Sequence, residues 1–346
     1  MIVTTTEEIL KHYETMRQEA VSRWNEGWFC HDLHSHERYK FLSFPSIDAL
    51  EKFRDYHIGG IGLEVSDYLI DIATLNSLKT FDKLPAPQNQ LAARVRGNIA
   101  KYHNGEYLKL TEEAPELAKL WKFSANDPTD FGGVRLLLEV DGEKIPVSHF
   151  SVRTASRTTN AIKLLKAHQA LKPDMSILEL GGGFGRSLQM IAQPISAKTL
   201  YYVDLPVNLA IAAHYFQRSG DKPVNLVWKE EDACEHSSVN FVAPWLLEKL
   251  PGKIDLMLNF LSLHHMPPET HDFYYQNLIK GRVQYLYHEN RLVPRFANEG
   301  EGSLQISDIR KEARILSSEE LIYGRVHDSE GNFVKFVHLR KELLKY

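Results

Sequence analysis

The chain has 346 residues, a length that predicts two domains at roughly 100–200 residues each. Hydrophobic residues make up 43% and charged ones 25%, the usage of a folded globular protein rather than a disordered one. Forty-one Lys and Arg against forty-five Asp and Glu leave a formal charge of -4, which offers no general attraction for nucleic acid or an anionic membrane. Two cysteines, Cys30 and Cys234, are too few for a disulfide framework and lack any C-x-x-C spacing. No basic-then-apolar leader opens the chain, and no run of about 18 apolar residues occurs, so a cytoplasmic protein is expected.

Residues 1–125 read mostly as helix and loop. Apolar residues recur at helical spacing over 7–23, Ser46 caps a second candidate over 47–56, and 65–78 is a third. Between 132 and 151 the pattern becomes VRLLLEV, DGEK, IPVSHFSV, where an Asp-Gly turn between β-rich runs predicts a hairpin. This hairpin divides the chain into a mainly helical cap, 1–150, and a second domain, 151–346. A helix over 158–171 follows. After it come SILEL (176–180), TLYYVDL (199–205), VNLVWKE (224–230), IDLMLNF (254–260) and VQYLYHEN (283–290), separated by helix-like segments. That alternation predicts an α/β fold with a Rossmann-like parallel sheet between helix layers. LIYGRVH (321–327) and FVKFVHLRK (333–341) add a C-terminal antiparallel hairpin, giving seven strands in all.

The sharpest local signal is Glu179-Leu180-Gly181-Gly182-Gly183-Phe184-Gly185-Arg186-Ser187, placed between a strand and a helix. Glycines let such a turn take positive φ and let a ligand approach the backbone, while a helix start presents free N–H groups. A phosphate-binding P-loop needs Lys-Ser or Lys-Thr after the glycines, and none follows. A dinucleotide site needs G-x-G-x-x-G, but Arg186 stands where the third glycine belongs.

What remains, E-x-G-x-G-x-G, resembles motif I of the class I S-adenosylmethionine-dependent methyltransferases. The resemblance implies that Glu179, Gly181, Gly182, Gly183 and Gly185 hold the amino-acid end of S-adenosylmethionine. Asp204 and Leu205 close the next strand, 23 residues after Gly181, where a carboxylate accepts the ribose hydroxyls. Asp232 and Ala233, past the third strand, match the place of adenine contacts. They also lie in the charge run Lys229-Glu230-Glu231-Asp232, which reads equally as a solvated turn. Asn259, ending the fourth strand, is placed to contact cofactor or acceptor.

More narrowly, Asp204-Leu205-Pro206-Val207-Asn208-Leu209, the ELGGGFG loop, DLMLNFLSLHHM and YLYHENR are similar to the bacterial sugar O-methyltransferase family over residues 145–346. That resemblance implies a sugar or glycosylated small molecule as acceptor, with a carboxylate, amine or non-sugar hydroxyl, or a scaffold without catalysis, as alternatives. A homo-oligomer stays open. A hydroxyl acceptor needs a base, and His264 and His265, after the fourth strand beside the switch point of the sheet, are the candidates. His288 and Glu289, ending the fifth strand, are expected to hydrogen-bond the substrate. His31-x-x-His34-x-His36 suits zinc better than magnesium, but its spacing is weak evidence, and no metal is expected.

Overall fold

The structure, a computed structural model, describes residues 1–25, 46–53, 88–125, 131, 135–263, 266, 268–291, 309–327 and 333–346. Compactness divides the chain into one unit made of Met1–Leu50 and Leu164–Tyr346 and a second made of Glu51–Lys163. The first residues, Met1–Leu50, fall in the same unit as the sheet.

The N-terminal segment shows why. Strand β1 (Ile2–Val3) pairs antiparallel with Val224 and Asn225, and helix α1 (Thr6–Asn25) follows at once. The start of α1 is fixed by a capping box: Thr5 Oγ1 accepts from the Glu8 N–H at 3.2 Å, and Glu8 Oε2 accepts from the Thr5 N–H at 3.2 Å. Further along, the Thr6 hydroxyl meets His214 Nδ1 at 3.2 Å in the buried seam beneath. Helix α2 (Ile47–Glu51) starts where Ser46 predicted, with the Ser46 hydroxyl accepting from the Ala49 N–H. The candidates over 54–56 and 65–78 lie outside the described residues.

The second unit contains α3 (Gln88–Glu113), α4 (Pro115–Ala125), the hairpin β2 (Arg135–Val140) and β3 (Glu143–Ser148), and most of α5 (His149–Ala167). Asp141 and Gly142 form the hairpin turn at φ 52° and 80°, the left-handed pair that a two-residue connection requires. The Asp141 carboxylate then accepts from Tyr107 at 2.9 Å and Lys122 at 2.8 Å. The strand expected to run on through HFSV stops at Ser148, and His149 opens α5 instead. A short apolar run fits either period, and here the helical one continues into Ala155, Ile162 and Leu165, all buried.

Among the described residues of the first unit nine strands form one sheet, in the order β1-β6-β7-β5-β4-β8-β9-β11-β10. Its parallel centre consists of β4 (Ser176–Leu180), β5 (Thr199–Val203), β6 (Val224–Val227), β7 (Val239–Val242), β8 (Ile254–Phe260) and β9 (Val283–Arg291). Two long strands, β10 (Arg314–His327) and β11 (Phe333–Lys345), close one edge as an antiparallel hairpin. The α/β class, the parallel centre and the terminal hairpin are as expected; the count of seven becomes nine among the described residues. The two additions are β1 and β7, and β7 lies between β5 and β6. Strands β5, β6 and β7 are buried along their whole length, as parallel strands covered on both faces must be.

Helix α6 (Arg186–Ala192) follows β4, α7 (Pro206–Ser219) follows β5, and α8 (Pro268–Tyr274) follows β8. Pro206 sits in the first turn of α7, where its missing N–H and fixed φ cost nothing. From β4 the chain moves to β5 on one side and later returns to β8 on the other. The C-terminal end of β4 is therefore the switch point where open α/β sheets bind ligands.

Candidate functional site

The glycine loop leaves β4 at that point. Gly181 has φ +70°, and a Cβ there would stand 2.2 Å from Ser262 Oγ, so the loop after β8 approaches a bare backbone. A Cβ on Gly182 would stand 2.2 Å from Glu179 Cδ, because the Glu179 side chain folds under the loop. Glu179 is fully buried, and its Oε2 accepts from the Leu188 N–H at 3.2 Å. It thus satisfies one of the donors at the start of α6 from within the protein. Gly181, Gly182 and Gly183 are half-buried, and Gly185, in the left-handed region, is buried as the cap of α6.

Asp204 stands beside this loop at the end of β5, 7% exposed. Its Oδ2 accepts from the Gly183 N–H at 3.1 Å and the Tyr202 hydroxyl at 2.9 Å; Oδ1 accepts from the Leu205 N–H at 2.7 Å and Asn208 Nδ2 at 3.0 Å. Tyr202 also reaches the Gly183 carbonyl at 2.6 Å. Four donors occupy the carboxylate's acceptor positions and hold the loop to β5. Burial raises the Asp204 pKa to about 6, against the four hydrogen bonds, which lower it.

On the side away from β4, the neighbour of β5 is β7 rather than β6, so the adjacent strand end there is Val242, followed by Ala243, Pro244 and Trp245. Asp232 instead closes a turn, accepting from the N–H groups of Trp228 at 2.9 Å and Lys229 at 3.0 Å. The Ala233 carbonyl accepts from Asn225 Nδ2, on the chain's way back to the start of β7. The missed signal was VNFV (239–242), a four-residue β-rich run bounded by two serines and a proline.

After β8 the backbone bends through Leu261 at φ 61°, a left-handed conformation that costs a side-chain-bearing residue roughly 1 kcal/mol. The Leu261 N–H bonds the Glu289 carbonyl at 2.8 Å, and Ser262 is turned against Gly181. His264 and His265 lie outside the described residues, as do His31, His34 and His36. Asn259 is fully buried: its Nδ2 donates to the Leu180 carbonyl at 2.9 Å and to Ser262 Oγ at 2.5 Å.

His288 is 1% exposed, and both ring nitrogens have partners: Nε2 meets Glu342 at 2.9 Å and Nδ1 meets Asn290 at 3.2 Å. In this arrangement it presents no nitrogen to a substrate, contrary to expectation. Burial, with the nearby Arg310 charge, lowers its pKa to about 3 and keeps it neutral. Glu289, also 1% exposed, accepts from the Tyr287 hydroxyl at 2.6 Å and faces the buried Lys341 ammonium at 3.9 Å. Among the described residues no group of three or more His, Cys, Asp or Glu could hold a metal, and no helix is long and apolar enough to cross a membrane.

No protein-family model matches the chain, and no curated protein matches it. Among solved structures, one similar chain is put forward as a sarcosine dimethylglycine methyltransferase from Galdieria sulphuraria, at 11% identity and TM-score 0.41, covering 66% of this chain and 95% of that one. Magnesium protoporphyrin IX methyltransferase of Synechocystis with bound S-adenosylmethionine is similar at 14% identity and TM-score 0.36, covering 57% and 81%. The TehB protein of Haemophilus influenzae is similar at 12% identity and TM-score 0.37, covering 58% and 68%.

Proposed function

We propose that this chain is an S-adenosylmethionine-dependent methyltransferase acting on a hydroxyl of a sugar or glycosylated small molecule. The observation that carries the reading is the glycine turn at the switch point, with the Asp204 carboxylate bonded to the Gly183 N–H at 3.1 Å. A bare, half-buried backbone beside a strand-end carboxylate suits the amino-acid end and the ribose of such a cofactor. Ala243, the residue after β7, takes the place beside the adenine that was first given to Asp232 and Ala233.

The bound cofactor supplies a methyl group activated by sulfonium. The protein's own work is then alignment, exclusion of water and removal of the acceptor's proton. Gly181, Gly182 and Gly183 hold the donor's tail, and Asp204 exchanges donors it already accepts for the ribose hydroxyls. The imidazole of His264 or His265, which follow Ser262 in the chain, takes the proton from the acceptor. Such a base contributes typically 10²–10⁴-fold.

Calorimetric titration with S-adenosylhomocysteine and with NADH tests the cofactor. Binding of the first alone supports the proposal, and binding of NADH alone overturns it. Methyl-labelled S-adenosylmethionine offered with a panel of glycosides, carboxylic acids and amines then tests the acceptor. Transfer to a non-sugar acceptor overturns the sugar reading. Cofactor binding without transfer to any acceptor makes the chain a scaffold. His264→Ala and His265→Ala, made separately, test the base: one of them must lower turnover while cofactor affinity is kept.

A further inference from the structure

Side chains that look unrelated in the sequence lie in one row across the sheet. Asn259 of β8 is the register partner of His288 on β9, and His288 is the partner of Glu342 on β11. Register partners share a face, and Asn290, two residues beyond His288, lies on it too. Exposure of Asn259, His288, Asn290 and Glu342 is 0–1%, so each must find partners inside the protein.

The hydrogen bonds they make run in one direction. Glu342 is paired with Arg310, whose Nε lies 2.8 Å from Oε2, and with Arg340 at 3.3 Å. His288 Nε2, facing that carboxylate at 2.9 Å, must carry the ring's proton, which leaves Nδ1 as an acceptor. Asn290 Nδ2 donates to this Nδ1 at 3.2 Å and to Asn259 Oδ1 at 3.0 Å, spending both hydrogens. With Oδ1 thus an acceptor, Asn259 can only donate from Nδ2, to the Leu180 carbonyl and Ser262 Oγ. Ser262 completes the chain by donating to the same carbonyl at 3.1 Å and by packing on the bare Cα of Gly181.

We infer that this relay is a positioning device, in which the Glu342 carboxylate sets the tautomer of His288 and, through Asn290 and Asn259, the placement of the Leu180–Gly181 backbone. The inference rests on the reading of the glycine loop as the S-adenosylmethionine site. Its members are positioning residues: Asn259 and Ser262 touch the strand end that starts the loop, and the buried Glu342, His288 and Asn290 act through them. The final strand of the chain thereby acts on a loop some 160 residues earlier in sequence, because amide and imidazole groups have a donor side and an acceptor side that cannot both be reversed cheaply.

The test uses the full chain with S-adenosylhomocysteine as probe, calorimetry for affinity and thermal denaturation for stability. Asparagine places its amide near the imidazole Nδ1 position, and glutamine reaches the Nε2 position. His288→Asn therefore keeps an acceptor for Asn290 and gives up Glu342; His288→Gln does the reverse. Asn290→Asp keeps the shape and cannot donate to two acceptors. We expect all three to melt earlier. His288→Gln and Asn290→Asp weaken binding about tenfold, the scale of one coupled hydrogen bond, whereas His288→Asn stays near wild type. Equal affinities in all variants, or losses that only follow the melting temperature, overturn the relay. Wild-type protein that binds no S-adenosylhomocysteine overturns the cofactor reading instead. The relay is then read from amide hydrogen exchange in the 181–183 loop, which must rise in His288→Gln and Asn290→Asp but not in His288→Asn.

Discussion

Replacing Gly181 by alanine is expected to destabilise the sheet unit through two separable costs. The first is conformational: at φ +70° a Cβ meets its own backbone, at roughly 1–2 kcal/mol. The second is a collision, since the new carbon would stand 2.2 Å from Ser262 Oγ and 2.4 Å from Ser262 Cβ. Ser262 must then move and give up its bonds to the Leu180 carbonyl and Asn259, which adds about 1–3 kcal/mol for overpacking and unsatisfied groups. The sum is about 2–5 kcal/mol. At about 2–4 °C per kcal/mol for a domain of this size, the melting temperature falls by roughly 4–20 °C. Circular dichroism melts of Gly181→Ala, Ser262→Gly and the double variant isolate the collision. With Ser262 reduced to glycine, the added methyl group meets nothing and only the conformational cost persists, so the double variant recovers about 1–3 kcal/mol relative to the sum of the singles. Strict additivity would refute the argument that Ser262 is what forbids a side chain at Gly181.

Asp204 makes the site pH-dependent. Its carboxyl, pushed up to about 6, binds a proton more tightly in the folded chain than in the unfolded one, so its stabilising contribution is complete below about pH 4 and is lost as pH rises through 6, on the order of 3 kcal/mol in all. Asp204→Asn should flatten that part of the stability profile, as read by denaturant titration between pH 4 and 8. Since the ribose hydroxyls need an ionised acceptor, S-adenosylhomocysteine affinity in the wild type should drop as pH falls through 6; a flat binding profile removes Asp204 from the cofactor site. Tyr202→Phe removes the single hydroxyl hydrogen shared between the Gly183 carbonyl and Asp204, and is expected to cost about 1–3 kcal/mol and to loosen the loop, seen as a lower melting temperature together with weaker cofactor binding. Lys341→Met removes the ammonium 3.9 Å from the buried Glu289 carboxylate, at about 3–5 kcal/mol, and adding Glu289→Gln should restore part of that stability. No recovery in the double variant would show that the two charges do not depend on each other.

Much of the sheet could be read in advance, because β4, β5, β8 and β9 are short apolar runs bounded by turn residues. The Asp-Gly hairpin and the glycine loop were likewise visible, as each demands residue types that only a few conformations need. Strand β7 was not visible: four residues buried on both faces carry no alternation, and the connection before it contains no helix to mark a crossover. That one strand also separates β6, and the Asp232–Ala233 turn after it, from β5, and whichever strand lies beside β5 decides which loop reaches its end. The two-residue strand β1 was hidden for a similar reason, as its pairing depends on an edge that exists only once β6 has docked.

Local physics was therefore sufficient for the kind of fold and for the presence of a glycine turn facing a strand-end carboxylate. Left-handed backbone, chain reversal and period-two burial are properties of a few consecutive residues. The tertiary structure alone decided that Ser262 abuts Gly181, that Asp204 already has four donors, and that Asn259, His288, Asn290 and Glu342 form one directed line. Those facts depend on strand order and register, which are set by how whole strands pack, and a hydrogen bond between residues far apart in the chain leaves no local trace.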